Sequence, residues 1–333
     1  MTFPFDNLLP HNQVSQLRRD DAITLAFVNG RFDNTLSTVP DANISLEKSD
    51  DGLMLRVAEH AKIRRPVQIM YLYPATSFEK MASKITIIVA NGGELTLDEI
   101  HFTPAENANG ENVTTRIELE AGAIMKHNRI QLDSEKSESL VNAIVNQQND
   151  SRYEALHFSL GAGKSLHNLH VRLAGENAQA ALSGLYAIPA KRSIEHNLLV
   201  EHIAPRTQSH QLYKGVIKEL GKSTFNGKIH ILKNAQQANA SQLNKNLLLG
   251  KKAEARTRPE LEILADDVKC SHGATVGQIS EEELFYLQSR AIPRDTAIEM
   301  LVRGFAEDVL NHITNEILKK NLTGILTEEF FNS

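Results

Sequence analysis

The sequence predicts a mainly β protein that closes with a helical segment. From Lys84 to about Val276, short alternating segments follow one another, each stopped by Gly, Asn or Pro. The centres of the later segments recur roughly every 14–18 residues. Near residue 279 the apolar spacing changes from a period of two to a helical one. A short strand repeated at near-constant spacing suits a β-solenoid, in which each coil buries its inner face against its neighbours. It would also suit a β-sandwich of antiparallel strands, the less favoured alternative. Spacing does not separate the two, and there is no strict sequence repeat to do so.

Residues 1–80 form a mixed N-terminal region. Residues 12–20 are spaced for a short helix. Ala22–Val28 reads as a strand running into a turn at Asn29-Gly30, and Pro66–Leu72 as a buried strand. Residues 81–279 form the β core. Its segments include Ile85–Val89 before Asn91-Gly92-Gly93, Ile117–Leu119 before Gly122, and Leu156–Leu160 before Gly161. Leu169, Val171 and Leu173 alternate with His170 and Arg172, which sends one set inward and the other toward solvent. Later segments are Leu198–His202, Gln211–Ile217, Lys228–Leu232, Leu243–Leu249 and Leu261–Leu264. Few stretches here read as a helix, and Glu138–Val145, before Asn146, is the best candidate. Residues 280–333 form a C-terminal helical domain. Ser280 and Glu283 make a capping box, and Pro293 opens a second helix. Ile298, Leu301, Val302 and Phe305 share one apolar face, which Val309, Ile313 and Ile317 continue.

Composition narrows the function. Lys and Arg total 36 against 41 Asp and Glu, a net charge of -5, which argues against bulk nucleic-acid binding. No apolar run reaches the length of a membrane span. The N-terminus lacks the basic flank and apolar stretch of a secretory signal. The single cysteine, Cys270, rules out an internal disulfide and any four-cysteine zinc or iron–sulfur site within the chain. The expected compartment is the reducing cytoplasm. With no tryptophan and 5% aromatics, base stacking and carbohydrate stacking have little to work with.

Three features invite a chemical reading. Gly161-Ala162-Gly163-Lys164-Ser165 ends like a P-loop, but Phe158 stands where the first glycine is needed and a strand follows where a helix should. It reads as a turn. Most of the thirteen histidines, such as His170 and His230, alternate with apolar residues and are expected to face outward. His196 and His202 share a strand face, yet no Cys or Asp in their segment completes a metal set. Cys270 and His272 are two apart on the last β segment, so their side chains point the same way, roughly 7 Å apart. Thiolate and imidazole are suitable soft ligands, but two do not close a site, so the rest must come from another chain. A buried structural cysteine is the alternative. A polysaccharide-acting enzyme is disfavoured, because the adjacent Asp266 and Asp267 point to opposite faces of a strand.

These residues also carry a family resemblance. Arg258-Pro259-Glu260-Leu261-Glu262-Ile263, then Ala265 through Thr275 with Lys269-Cys270-Ser271-His272-Gly273-Ala274-Thr275, then Leu284 through Arg290, resemble the SufB/SufD family of iron–sulfur cluster assembly proteins. Upstream, His202 through Ser209, Leu212-Tyr213-Lys214-Gly215, Phe225 through Ile229 and Gln242–Leu249 are similar to the family's central segments. The likeness spans roughly residues 65–318. The Lys269–Thr275 form and the shortage of cysteines resemble the SufD branch rather than the scaffold that receives sulfur.

The resemblance implies a right-handed parallel β-helix, a short N-terminal region and C-terminal helices. It implies pairing with a SufB-like subunit through the β-helix ends, and docking of a SufC-type ABC ATPase on those helices, with Ile298, Leu301, Phe305 and Val309 as the contact stripe; the alternative for this stripe is a helix packed on the chain's own body, and different faces can serve both. It implies no catalysis by this chain itself. Iron or a transient iron–sulfur cluster would be shared with the partner, with His272 first and Cys270 second as candidate ligands, and none is expected in the isolated chain. Without a partner the exposed β-helix edge favours a homodimer, and a purely architectural homodimer is the competing reading. Two departures stand out. The N-terminal region is shorter than is usual in the family, and Ala291 replaces the glycine that typically follows Ser-Arg, which should alter that turn.

Overall fold

The computed structural model describes residues 17–38, 41–49, 52–73, 81–103, 110–189, 191–313 and 315–331. The chain is a parallel β-solenoid with two long sheets, and the sandwich alternative is excluded. The N-terminal strands are β1 (Ile23–Val28), β2 (Arg31–Asp33), β3 (Ile44–Ser49), β4 (Gly52–Val57) and β5 (Val67–Leu72). Seven coils follow, each giving one strand to each sheet. The first three coils pair β6 (Met81–Val89) with β7 (Glu94–Phe102), β8 (Gly110–Leu119) with β9 (Ile124–Leu132), and β10 (Glu138–Gln147) with β11 (Arg152–Ser159). The next two are β12 (Lys164–Leu173) with β13 (Gln179–Ile188), and β14 (Ser193–His202) with β15 (Gln208–Ile217). The last two are β16 (Lys222–Ile231) with β17 (Asn239–Leu248), and β18 (Glu254–Ile263) with β19 (Lys269–Gln278).

Odd-numbered strands from β5 to β19 stack in one sheet and even-numbered strands from β4 to β18 in the other. Antiparallel pairing occurs at the N-terminal end, where β2 folds back on β1 and β3 on β4. The β1–β2 turn is Asn29-Gly30, both at positive φ (51° and 78°), as a two-residue hairpin requires. The sheets extend upstream of residue 81, because β1 and β5 pair in parallel with one another and β5 with β7. The expected helix at 12–20 lies outside the described residues apart from its end; Leu17 is buried.

The half-coil explains the spacing seen in the sequence, since two strands and two corners make one turn. An outward ladder of asparagines, Asn142, Asn168, Asn197 and Asn226, is hydrogen-bonded side chain to side chain in steps of 26, 29 and 29 residues. One corner of every coil but the last is a left-handed residue that donates its N–H to the carbonyl of the following coil. Gly122 donates to Asn149, Asp150 to Glu176, Asn177 to Pro205 and Arg206 to Gln236, at 2.8, 2.8, 3.3 and 2.8 Å. Asn and Asp tolerate this conformation better than most side chains.

Glu138–Val145 is strand β10, not a helix. Ser139, Val141, Ala143 and Val145 alternate inward and pair with β8 on one side and β12 on the other. Leu140 and Ile144 on the outer face complete a spacing that mimics a helical stripe. The β-branched residues here favour the pleated alternative.

Three helices close the chain: α1 (Glu281–Ser289), α2 (Arg294–Leu310) and α3 (Glu316–Phe331). Ser280 caps α1 by accepting from the Glu283 N–H at 3.3 Å, as the capping box implied. Helices α2 and α3 cover the outer face of the odd-numbered sheet. Val302, Ala306, Val309 and Leu322 meet Ile100, Ile130, Leu156, Phe158 and Val216 in one buried cluster. Each fully buried aliphatic side chain there contributes about 1.5–3 kcal/mol. Lys214 fastens α2 by donating to the Phe305 carbonyl at 2.8 Å and to Asp308, with its ammonium 4.6 Å from the centre of the Phe305 ring. The apolar stripe read from the sequence therefore breaks at the α2–α3 junction. Ile313 is buried, whereas Ile317, at the start of a new helix, is 73% exposed.

Candidate functional site

The last coil is where the stack stops. Strands β18 and β19 end their sheets and have a strand neighbour on one side only. Cys270 and His272 are register partners of Ala240 and Gln242, both buried inward-facing residues of β17. They stand on the interior columns of the solenoid with no further coil over them. Consequently Cys270 is only half-buried, against Ala238, Ala240 and Ala265, and His272 is exposed. Thr257, Pro259 and Leu261 are the inward residues of β18 and are half-buried in the same way. Ile263, Leu264 and Val276 leave 40%, 54% and 44% of their surface exposed at this end.

The structure thus brings Cys270 and His272 onto one face, as the two-residue spacing required. Burial pushes the Cys270 thiol up, with a hydrogen bond to the Ala240 backbone acting weakly against it. The thiol is therefore protonated near neutral pH and must lose its proton to become a ligand. Among the described residues, no group of three or more His, Cys, Asp or Glu is arranged to hold a metal ion.

The expectation that most histidines face outward holds for His170 and His230, which flank Glu201 on the outer face. It fails for His101, His127, His157, His167, His196 and His202, all of which are buried. His202 is a corner pin, bonded to Thr207 and Ser209 at 2.8 Å each. The others line the interior with Glu99, Glu111 and Arg129. Glu99 lies 3.2 Å from His127 and 3.7 Å from His101, and His101 lies 3.0 Å from Glu111. Burial alone lowers His101, but Glu111 and Glu99 override it and hold the imidazole at about 9. Burial raises Glu99, and His127 and His101 more than reverse that, leaving it well below the usual carboxylate range. The missed signal was parity. Leu95 and Leu97 face inward on β7, so Glu99 and His101 must as well.

The C-terminal stripe divides between two roles. Val309 is fully buried in the chain's own core and offers no surface to a partner, a correction to its expected place in the contact stripe. Ile298 and Phe305 are half-buried against the same core, and Leu301 is half-buried. The exposed apolar side chains of the helices are instead Phe285, Tyr286, Met300 and Ile317, at 73%, 55%, 48% and 73%. Periodicity finds the face that packs inward, so it could not have found these. Among the described residues, no helix is long and apolar enough to cross a membrane.

The chain is similar to known proteins over most of its length. The family model described as the SufBD core domain of the SUF system for FeS cluster assembly matches residues 73–305. The chain is 30% identical to the iron–sulfur cluster assembly protein SufD of Escherichia coli, over 93% of this chain and 81% of that protein. It is 29% identical to a SufBD family protein of Synechocystis and 29% identical to the chloroplastic protein ABCI7 of Arabidopsis thaliana. Those two alignments cover 82% and 81% of this chain but only 62% and 58% of the relatives' own lengths.

Proposed function

The chain belongs to the SufBD family of iron–sulfur cluster assembly proteins, and we propose that it is the SufD-type subunit that completes an assembly site by pairing its open coil with a SufB-like chain. The observation that carries this reading is the last coil. It sets an exposed imidazole and a half-buried thiol on interior columns, beside apolar side chains that a partner would cover. Strands β18 and β19 present unpaired backbone groups, which a partner's strands can satisfy. A second copy of this chain would do so when the SufB-like chain is absent.

In this reading His272 offers its imidazole to iron or to a nascent cluster, the cargo of the assembly, at the subunit boundary. Cys270 is the secondary candidate, with remaining ligands from the partner. The chain catalyses nothing by itself. A SufC-type ATPase docks on α1 and the exposed edge of α2, using Phe285, Tyr286 and Met300 together with the half-buried Ile298, Leu301 and Phe305. ATP-driven closure of the ATPase would change the interface by favouring its open form over its closed one.

The test is anaerobic co-expression of this chain with SufB-like and SufC-like partners, for wild type and His272→Ala. Bound iron and acid-labile sulfide are then assayed on the purified complex. The variant is expected to assemble yet to lose iron and sulfide. A variant complex that matches wild type in both would remove His272 from the site and leave the chain as an architectural partner.

A further inference from the structure

The two strands that end the solenoid present different edges. The direction of each backbone group follows from the ladder bonds. Glu254 at the start of β18 donates its N–H to Gly221 at 3.0 Å, and Leu264 just past its end donates to Ile231 at 2.8 Å. The outward residues of β18 therefore bond back to the coil below. Backbone groups alternate sides along a strand, so those of the inward residues Ala255, Thr257, Pro259, Leu261 and Ile263 point away from the stack. Lys269 donates to Ala238 at 2.9 Å, which sends the N–H groups of Cys270, His272, Ala274 and Val276 to the open side in the same way.

On β18 that row is broken. Pro259 stands in the middle of the strand and carries no N–H. The outward residues are Glu254, Arg256, Arg258, Glu260 and Glu262, and most are already paired along the strand or with the strand below. Glu254 lies 3.4 Å from Lys222, Glu260 3.1 Å and Glu262 2.6 Å from Lys228, and Arg256 3.6 Å from Glu254. Proline and charge are the devices that keep a sheet edge from accepting another strand. On β19 the row is continuous. Its outward residues after Lys269 are Ser271, Gly273, Thr275 and Gly277, all small and uncharged. No atom lies within 4 Å of where a Cβ on Gly277 would stand. Glycine inside a strand marks a place where another backbone can approach closely.

We propose that the SufB-like partner docks by adding one strand to the open edge of β19, and that β18 takes no strand. The inference rests on the last coil being the partner interface and narrows that interface to one edge. The N–H and C=O groups of Cys270, His272, Ala274 and Val276 supply the hydrogen bonds that hold the added strand. An uncharged strand fits, because β19 offers no charge beyond Lys269 to complement. A strand in this place continues the columns that run Ala240–Cys270 and Gln242–His272. Its alternate side chains stand one rung, about 4.8 Å, beyond the thiol and the imidazole. Ligands supplied by the partner therefore come from alternate positions of a single strand.

The experiment reads backbone amides by hydrogen exchange, resolved to single residues by fragmentation, in the dilute full chain and in its complex with the co-expressed SufB-like chain. Exchange at Cys270, His272, Ala274 and Val276 is expected to slow by about a hundredfold or more in the complex, while Ala255, Thr257, Leu261 and Ile263 change by less than about threefold. Ala274→Pro removes one open-edge donor from β19 without touching the chain's own ladder, and should weaken association by about tenfold or more. Thr257→Pro does the same on β18 and should leave association within about twofold of wild type. Slowed exchange on β18, or weakened association for Thr257→Pro, would overturn the choice of strand and leave the last coil as the interface. A complex that forms with neither strand protected would overturn that reading as well. Protection of β19 in the chain alone, removed by dilution and not restored by the SufB-like chain, would make a second copy the occupant and overturn the proposal. Exchange in the wild-type complex decides the matter even where a proline variant does not fold.

Discussion

The fifth coil and the last coil share one register and differ in what lies above them. On β14 the inward residues Ile194, His196, Leu198, Val200 and His202 are all buried. On β18, two strands further along the same sheet, the inward residues Ala255, Thr257, Pro259 and Leu261 are half-buried and Ile263 is exposed. The backbone pairing is continuous through both, so the difference is the covering coil. An inward imidazole is a structural group when the next coil is present, as at His202 between Thr207 and Ser209. It is a free group when that coil is missing, as at His272. Chemistry that depends on a partner belongs where the solenoid ends.

The strongest way to break this comparison is to remove a charge from a covered coil. Glu99 is 1% exposed and accepts from Thr115 at 3.0 Å while lying against His127 and His101. Glu99→Gln keeps the shape and removes the charge, leaving His101 with Glu111 alone. Breaking a buried charge pair costs about 3–5 kcal/mol. His272→Ala, exposed on the open coil, should stay within about 0.5 kcal/mol of wild type. Urea unfolding of both variants checks the pair, and equal losses would dissolve the distinction.

Titration sharpens the same contrast. His196 and His202 are pushed down by burial, to about 3 and about 4. Between pH 6.5 and 4 the unfolded chain binds protons at these histidines that the folded chain refuses, so stability falls as pH falls. The slope is about 1.4 kcal/mol per pH unit for each such proton. His157 and His167, also pushed well down by burial, act in the same direction. Asp133 opposes them, since burial beside Glu111 raises it to about 7. His101 has the reverse sense. Its stabilisation is complete below its ordinary value of 6.5 and is lost as pH rises through about 9. Unfolding midpoints across pH 4–9 should therefore peak in the middle. A flat acid limb would mean that the buried histidines are hydrated well enough to ionise in place.

The helices repeat the comparison on a smaller scale. Phe285 is 73% exposed and Val309 is fully buried. On the docking proposed above, Phe285→Ala should weaken binding of a SufC-type ATPase by about tenfold, equivalent to about 1.4 kcal/mol, with the solenoid's stability unchanged. Val309→Ala should destabilise the α2–sheet contact by about 1–2 kcal/mol instead. Titration of the purified ATPase onto each variant separates the two. Undiminished affinity for Phe285→Ala would move the docking surface elsewhere.

What the sequence displayed follows the same division. Alternation in Leu169–Leu173 and the capping box at Ser280 were legible because they are local. The shared face of Cys270 and His272 was legible for the same reason. The stack order was not, since parallel pairing between successive coils joins residues 26 to 32 apart and leaves no mark within a window. The buried histidines were misread because polarity was allowed to outrank parity. Glu138–Val145 was misread because Leu140 and Ile144, on the outer face of a sheet, imitate a helical stripe. Val309 was misassigned because helical spacing cannot distinguish the chain's own core from a partner.

The smallest expected effect lies beyond the open coil, at Ala291. Its φ is 61°, in the left-handed region, where the glycine implied by family resemblance would sit without strain. Left-handed residues at the covered corners return part of their cost through a hydrogen bond to the next coil, as Asp150 does to Glu176 at 2.8 Å. Ala291 makes only the local bond that ends α1, to Gln288 at 2.9 Å. A non-glycine residue in this conformation costs about 1–2 kcal/mol, and glycine gives back part of the gain through its freer unfolded chain. Ala291→Gly should therefore stabilise the protein by about 0.5–1 kcal/mol. Arg206→Gly at a covered corner should not, because it also removes the ion pair with Glu176 and the hydrogen bond to Asn177. Urea unfolding of the two glycine variants side by side decides this. A loss at Ala291 would show that the turn after α1 is held by its side chain and that covered and uncovered left-handed residues are not distinguished by the coil above them.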